Sequence, residues 1–193
     1  MLRVVMVVAI VLAPFKSLYA GAIDFAVGSE MAEISYLTQN SSFGYGGADI
    51  GFGALINEHN DVVVSGSVLV SGSSTGDVNG LHFGVGVKAY LGFLDGPNGS
   101  VDIDGGAIAI GARVRYVFSG ATPIAVFGEG YFAPEVTSIA ELDGLVEYRL
   151  GLEVEISPSA RAYVGYRNLE VTYSERIDYE VDDAAHVGVR FEF

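Results

Sequence analysis

The groups closest to acid–base chemistry in this chain are three histidines and a set of opposed charges. His82 and His186 each alternate with glycine and fall on polar strand faces that together are rich in carboxylates. Two imidazoles in such company can divide the roles of general acid and general base. The third, His59, lies in the turn Asn57-Glu58-His59-Asn60-Asp61, where a solvated residue is expected. H-E-x-x-H does not occur, so the chain carries no zinc-binding helix of that kind. Inside a dense Arg–Glu set, an imidazole is expected to serve as a structural hydrogen-bonding member. No catalytic residue and no cofactor is assigned, and the chain is not expected to be an enzyme. A barrel enzyme acting on lipid or peptide through these two histidines stands as an alternative.

A second candidate is the run Asp178-Tyr179-Glu180-Val181-Asp182-Asp183. Hard cations take several oxygen ligands, but this run lacks the glycine and spacing of an EF-hand loop. Asp178, Glu180, Asp182 and Asp183 are therefore expected to bind Ca²⁺ or Mg²⁺ weakly at a surface, without a dedicated metal centre. Solvated loop charge is the simpler reading of the same residues. Gly84-Val85-Gly86 is no nucleotide motif, because no helix pattern follows it.

The basic residues are distributed by rule. Eight Lys or Arg follow residue 20, and seven of them occupy the polar face of an alternating segment: Lys88, Arg113, Arg115, Arg149, Arg161, Arg167 and Arg190. Glu129, Glu147, Glu153, Glu155, Glu192 and Asp49 share those faces. Side chains of a strand alternate, so the residues between them form a second face. That face is apolar: Leu81, Phe83, Val85, Val87, Ala89, Leu91 and Phe93 in one segment, Val187, Val189, Phe191 and Phe193 in the last. Buried charges must be paired and hydrogen-bonded, and the planar fork of arginine suits that task. Arg113, Arg115, Arg149 and Arg167 are expected to pair with Glu129, Glu147, Glu153 or Glu155. The interleaved glycines leave room for long arginines, so a Cβ added at Gly86 is expected to cost little.

These faces need strands long enough to display them. Eight segments qualify, over about 45–57, 61–72, 80–93, 105–118, 121–133, 142–157, 159–173 and 184–193, and most reach the ~9–11 residues of a tilted membrane strand. A short hairpin, Ile23–Gly28 and Met31–Thr38, precedes them. Half of the residues are hydrophobic and mean hydropathy is +0.40, yet past residue 20 no apolar run approaches the ~20 residues of a membrane helix. Hydrophobicity spread by alternation favours strands. Phe93, Tyr116, Phe118, Phe132, Tyr166 and Phe193 end several apolar faces, as aromatic girdles do at membrane interfaces. A soluble barrel would turn the same faces the other way and remains an alternative. Residues 1–20 read as a cleaved secretory signal, with Arg3, an apolar core Val4–Ala13 and a small-residue edge at Ala20; cleavage after Ala22 is a second option. Residues 21–193 then form a single domain.

Five blocks resemble the YfaZ family of Gram-negative outer-membrane proteins: Gly84-Val85-Gly86-Val87-Lys88-Ala89-Tyr90, Gly111-Ala112-Arg113-Val114-Arg115-Tyr116, Tyr131-Phe132-Ala133-Pro134-Glu135, Ala162-Tyr163-Val164-Gly165-Tyr166-Arg167, and the ending His186-Val187-Gly188-Val189-Arg190. Their order and spacing span nearly all the chain after residue 20. The resemblance implies an exported precursor and an outer-membrane barrel, and brings no catalytic residues.

The expectation is therefore an all-β, antiparallel up-and-down transmembrane β-barrel of eight long strands, or ten if the N-terminal hairpin joins the wall. Its lumen is charged and largely plugged, its outer loops are acidic, and its role is structural or in surface interaction. A narrow channel for small polar solutes or ions is the main alternative. Expected partners are outer-membrane lipid and lipopolysaccharide, with divalent cations bridging the anionic surfaces, and the assembly machinery that reads a C-terminal aromatic, here Phe193. A net charge of −14 makes nucleic acid a poor partner.

Overall fold

The computed structural model describes residues 21–40, 47–73, 80–95, 103–120, 122–173 and 177–193. The expected signal segment, residues 1–20, lies outside them, as do Asp102, Glu175 and Arg176. The strands are β1 (Gly21–Gly28), β2 (Met31–Asn40), β3 (Ala48–Asn57), β4 (Val62–Ser73), β5 (Leu81–Leu94), β6 (Ile103–Phe118), β7 (Ile124–Ala133), β8 (Ser138–Ala140), β9 (Leu142–Ser157), β10 (Ala160–Tyr173) and β11 (Ile177–Glu192). A 3-10 turn, Glu135–Thr137, precedes β8.

Each long strand pairs antiparallel with the next, and two further ladders close the ring. β7 pairs with β9 across the β8 excursion, and β1 pairs with β11. The wall thus holds ten strands, β8 lying outside it against β6. This corrects the count of eight: the N-terminal hairpin is part of the wall. The hairpin supplies the strand that mates with the C-terminal one, and without it β3 and β11 would leave open edges that membrane lipid cannot satisfy. Gly21 and Phe193 exchange two backbone hydrogen bonds of 3.0 and 2.9 Å at the seam.

The faces are sorted as a membrane requires. Val85, Val87, Ile110, Leu150 and Val187 are exposed on the outside, together with a large apolar residue on most neighbouring strands. Arg167, Glu147, Glu153 and Asp24 are buried inside. A soluble barrel would reverse this, because an apolar exterior of that extent is untenable in water. The chain is a membrane β-barrel. No helix among the described residues is long and apolar enough to cross a membrane; the strands do so.

Two segments depart from the sequence expectation. The last strand begins at Ile177, so the acidic run is strand and not loop. The β10–β11 ladder slips there: Leu169 faces Asp182 and Glu170 faces Glu180, leaving Val181 as an extra residue. Such a bulge breaks strict alternation. Asp182 turns into the lumen beside Val181, while Asp178 and Glu180 stay exposed. In the turn 57–61 His59 is exposed as expected, along with Glu58 and Asn60, while Asn57 and Asp61 at its two ends are buried.

Candidate functional site

The lumen has three storeys. At the end that holds Gly21 and Phe193, the terminal end of the barrel, a cavity of about 600 Å³ is lined by Arg113, Arg115, Arg161, Arg190 and His82, with Asp49 and Glu192 at its edge. Alternation delivers these side chains, because β5, β6, β10 and β11 each place every second residue inward, and register brings Arg113 beside Glu129 and Arg190 beside Asp24. Arg113 pairs with Glu129 at 2.7 Å and Arg190 with Asp24 at 2.8 Å. Arg161 holds Glu192 at 2.8 Å. Arg115 pairs with Glu153, which also has Arg161 at 3.7 Å and Arg190 at 3.9 Å. Asp49 accepts from Ser71 and Gln39 rather than from a cation.

The middle storey is a tight ionic belt. Arg149 and Arg167 both reach Glu33 at 2.7 Å, Arg149 lies 3.7 Å from Glu129, and Arg167 also binds Asp182 at 2.7 Å. Lys88 bonds Glu147 at 2.6 Å and lies over the rings of Tyr90 and Tyr131, 4.8 and 5.1 Å from their centroids. Tyr90 donates to Glu147 and Tyr163 to Asp24. Only a void of about 50 Å³ remains here, room for a few waters. Two glycines make this possible: a Cβ on Gly188 would lie 2.2 Å from the Tyr163 ring, and one on Gly111 2.2 Å from Tyr131. The aromatic rings, not the arginines, occupy the room those glycines leave.

The third storey is an apolar cap at the end opposite Gly21 and Phe193. Leu94, Ile103, Leu142, Leu145, Leu169, Val171 and Tyr173 pack into one buried cluster. The turn 57–61 is pinned across it. Asp61 accepts from Asn57, from the Tyr179 hydroxyl and from the backbone N–H of Asp95, each at 2.7 Å. Asn57 donates on to the Val181 carbonyl at 2.9 Å.

The structure therefore brings Lys88, Arg113, Arg115, Glu129, Glu147, Arg149, Glu153, Arg161, Arg167, Arg190 and Glu192 into one lumen. Arg167 takes partners outside the expected four carboxylates. Glu155 faces the same side, half-buried, with no ion pair among the described residues. Asp24, Glu33 and Asp61 were not anticipated. Their signal was present, since Asp24 alternates against Ile23, Phe25 and Val27, and Glu33 against Ala32 and Ile34. The four acids offered for a surface cation are not gathered: Asp182 is inside on Arg167, Asp183 is outside accepting from Tyr166, and Asp178 accepts from Thr172. Among the described residues no cluster of His, Asp and Glu suits a metal. His82 and His186 are apart: His82 lines the open cavity, whereas His186 is buried with its ring 5.9 Å from that of Tyr163.

A family model described as YfaZ precursor matches residues 20–193. Among curated proteins nothing matches. Among solved structures, the chain is similar to the KdgM porin at 10% identity and a TM-score of 0.43, over 91% of this chain and 99% of that one. It is also similar to the NanC porin at 14% identity and a TM-score of 0.46, over 90% and 99%.

Proposed function

The chain belongs to the YfaZ family, and on that premise we propose that it is an outer-membrane barrel whose lumen does not conduct and whose role is structural or in surface interaction. The observation that carries this is the narrowing of the lumen, from a cavity of about 600 Å³ to a void of about 50 Å³ in the ionic belt and then to packed leucines and tyrosines. A charge moving through the belt would have to separate buried ion pairs and then cross an apolar layer, both steps of high cost. Gly21 and Phe193 lie at one end, which in this reading faces the periplasm. The opposite end carries exposed Asp178, Glu180 and Asp183, proposed to meet lipopolysaccharide through divalent cations, and Phe193 is proposed as the signal for barrel assembly.

The test is conductance in planar bilayers. Refolded protein is expected to give no steady steps in molar salt. Ohmic steps that scale with salt would overturn the reading in favour of a narrow channel. That second reading draws on one observation: the open cavity and the small void share Leu37, Arg113 and Arg190 in their linings, so a polar path begins at the terminal end.

A further inference from the structure

We propose that the terminal half of the lumen binds a small, soluble, polyvalent anion bearing carboxylate or phosphate groups, which enters from the terminal end. The charges are paired overall, but they are not evenly presented. The side chains of Arg113, Arg115, Arg161 and Arg190 are 29, 24, 25 and 23% exposed, whereas Glu129, Glu153 and Asp24 are 6, 5 and 7% exposed; Glu192, which holds Arg161, is 35% exposed. Three of the four paired carboxylates are recessed into the wall with guanidiniums in front of them.

Stoichiometry within the cluster gives the same answer. Glu153 has three guanidiniums within 4 Å. Each guanidinium offers five donors, and one carboxylate has about four acceptor sites. Donors therefore remain on the cavity side after every recessed acid is engaged. Of the acids at the rim, Glu192 holds Arg161, and Asp49, on β3, accepts from the neutral donors Ser71 and Gln39 and keeps its charge. An arriving oxyanion meets forks matched to bidentate carboxylate or phosphate, within low-dielectric walls that focus the field. The cavity, about 600 Å³, has the size of a small-molecule site. A lipid headgroup carries the same chemistry, but the cavity lies inside the wall beside Gly21 and Phe193, not on the apolar exterior, which favours a solute.

The chain has no cysteine, so one placed in the cavity reports alone. Gly84 lines the cavity, and a Cβ there meets its nearest atom at an ordinary 3.5 Å. With Gly84→Cys in membrane-inserted protein at low salt, the sulfonatoethyl methanethiosulfonate reagent should react at least tenfold faster than the trimethylammonioethyl one. Citrate or pyrophosphate should slow labelling, and glucose should not. Adding Arg113→Gln should bring the two rates near parity; Arg161→Gln, whose partner Glu192 is at the rim, serves if the first fails to insert. Equal rates for the two reagents in the parent would overturn the proposal. So would indifference to citrate and pyrophosphate, or protection by phosphatidylglycerol discs alone. None of these outcomes depends on whether the barrel conducts.

Discussion

The two ends of the lumen share the same ten strands and the same alternation, yet they are opposites. At the capped end the inward positions carry Leu94, Ile103, Leu169 and Tyr173, packed into one buried cluster. At the terminal end they carry Ser71 and Gly84 on one wall and arginines on the other, and a cavity of about 600 Å³ remains. A barrel wall of this size fixes a diameter, and the inward side chains decide whether it is filled. The capped end is built as a protein core; the terminal end is built as a site. The ionic belt divides them.

The largest effect is expected where the two halves meet. Arg167 is 1% exposed and joins Glu33 to Asp182. Removing it leaves two carboxylates buried with one cation fewer, which typically costs ~3–5 kcal/mol. Arg167→Ala should lower stability by about that much in urea unfolding from lipid vesicles. A cycle with Asp182→Ala should recover part of the loss. Additive single and double variants would show that the belt is not a coupled unit, and that the two halves are not divided by it.

Next comes the same truncation made in each half. Leu94→Ala, in the packed cap, should cost ~2–5 kcal/mol because a closed site retains the void. Leu37→Ala, at the lining of the open cavity, only enlarges space already present and should cost less than about 1 kcal/mol. Equal losses in the same unfolding assay would break the distinction between core and site. Asp61→Ala should follow at about 2 kcal/mol, since Asn57, Tyr179 and the Asp95 N–H each lose an acceptor. That change should leave the reactivity of a cysteine at position 84 unaltered, which a thiol-labelling rate would check.

How far this was legible in the sequence differs along the chain. The lumen faces of β5, β6, β9 and β10 follow from period-two alternation over 14 to 16 residues, long enough for the pattern to be unambiguous. The wall count was not, because β1 is only 8 residues long and its place in the wall is fixed by pairing with β11, far away in sequence. Asp182 was placed among loop acids for a different reason. A bulge moves one residue out of register, and nothing in Glu180-Val181-Asp182 marks where alternation resets. The turn 57–61 reads as solvated by composition, and its tip is; Asn57 and Asp61 at its ends are buried, bonded to Val181 and Tyr179 of the last strand.

The smallest effects concern two glycines on one strand, and they reverse the sequence expectation. Gly86 and Gly84 both face the lumen, two residues apart on β5, and alternation alone treats them alike. A Cβ on Gly86 would lie 2.0 Å from the Val68 carbonyl oxygen and 2.7 Å from the Leu69 Cα, both of them backbone of β4. Backbone cannot yield by a rotamer change, so the ladder must shift. Gly86→Ala should therefore cost ~1–3 kcal/mol. A Cβ on Gly84 finds Leu69 side-chain carbons at 3.5 Å and open cavity beyond. Gly84→Ala should stay within about 0.5 kcal/mol of the parent. The pair reads the boundary between the filled and open lumen at a resolution of one side chain. Should the two alanine variants unfold at the same urea concentration from the same vesicles, the close approach of β4 to β5 at Gly86 would not be a feature of the folded barrel.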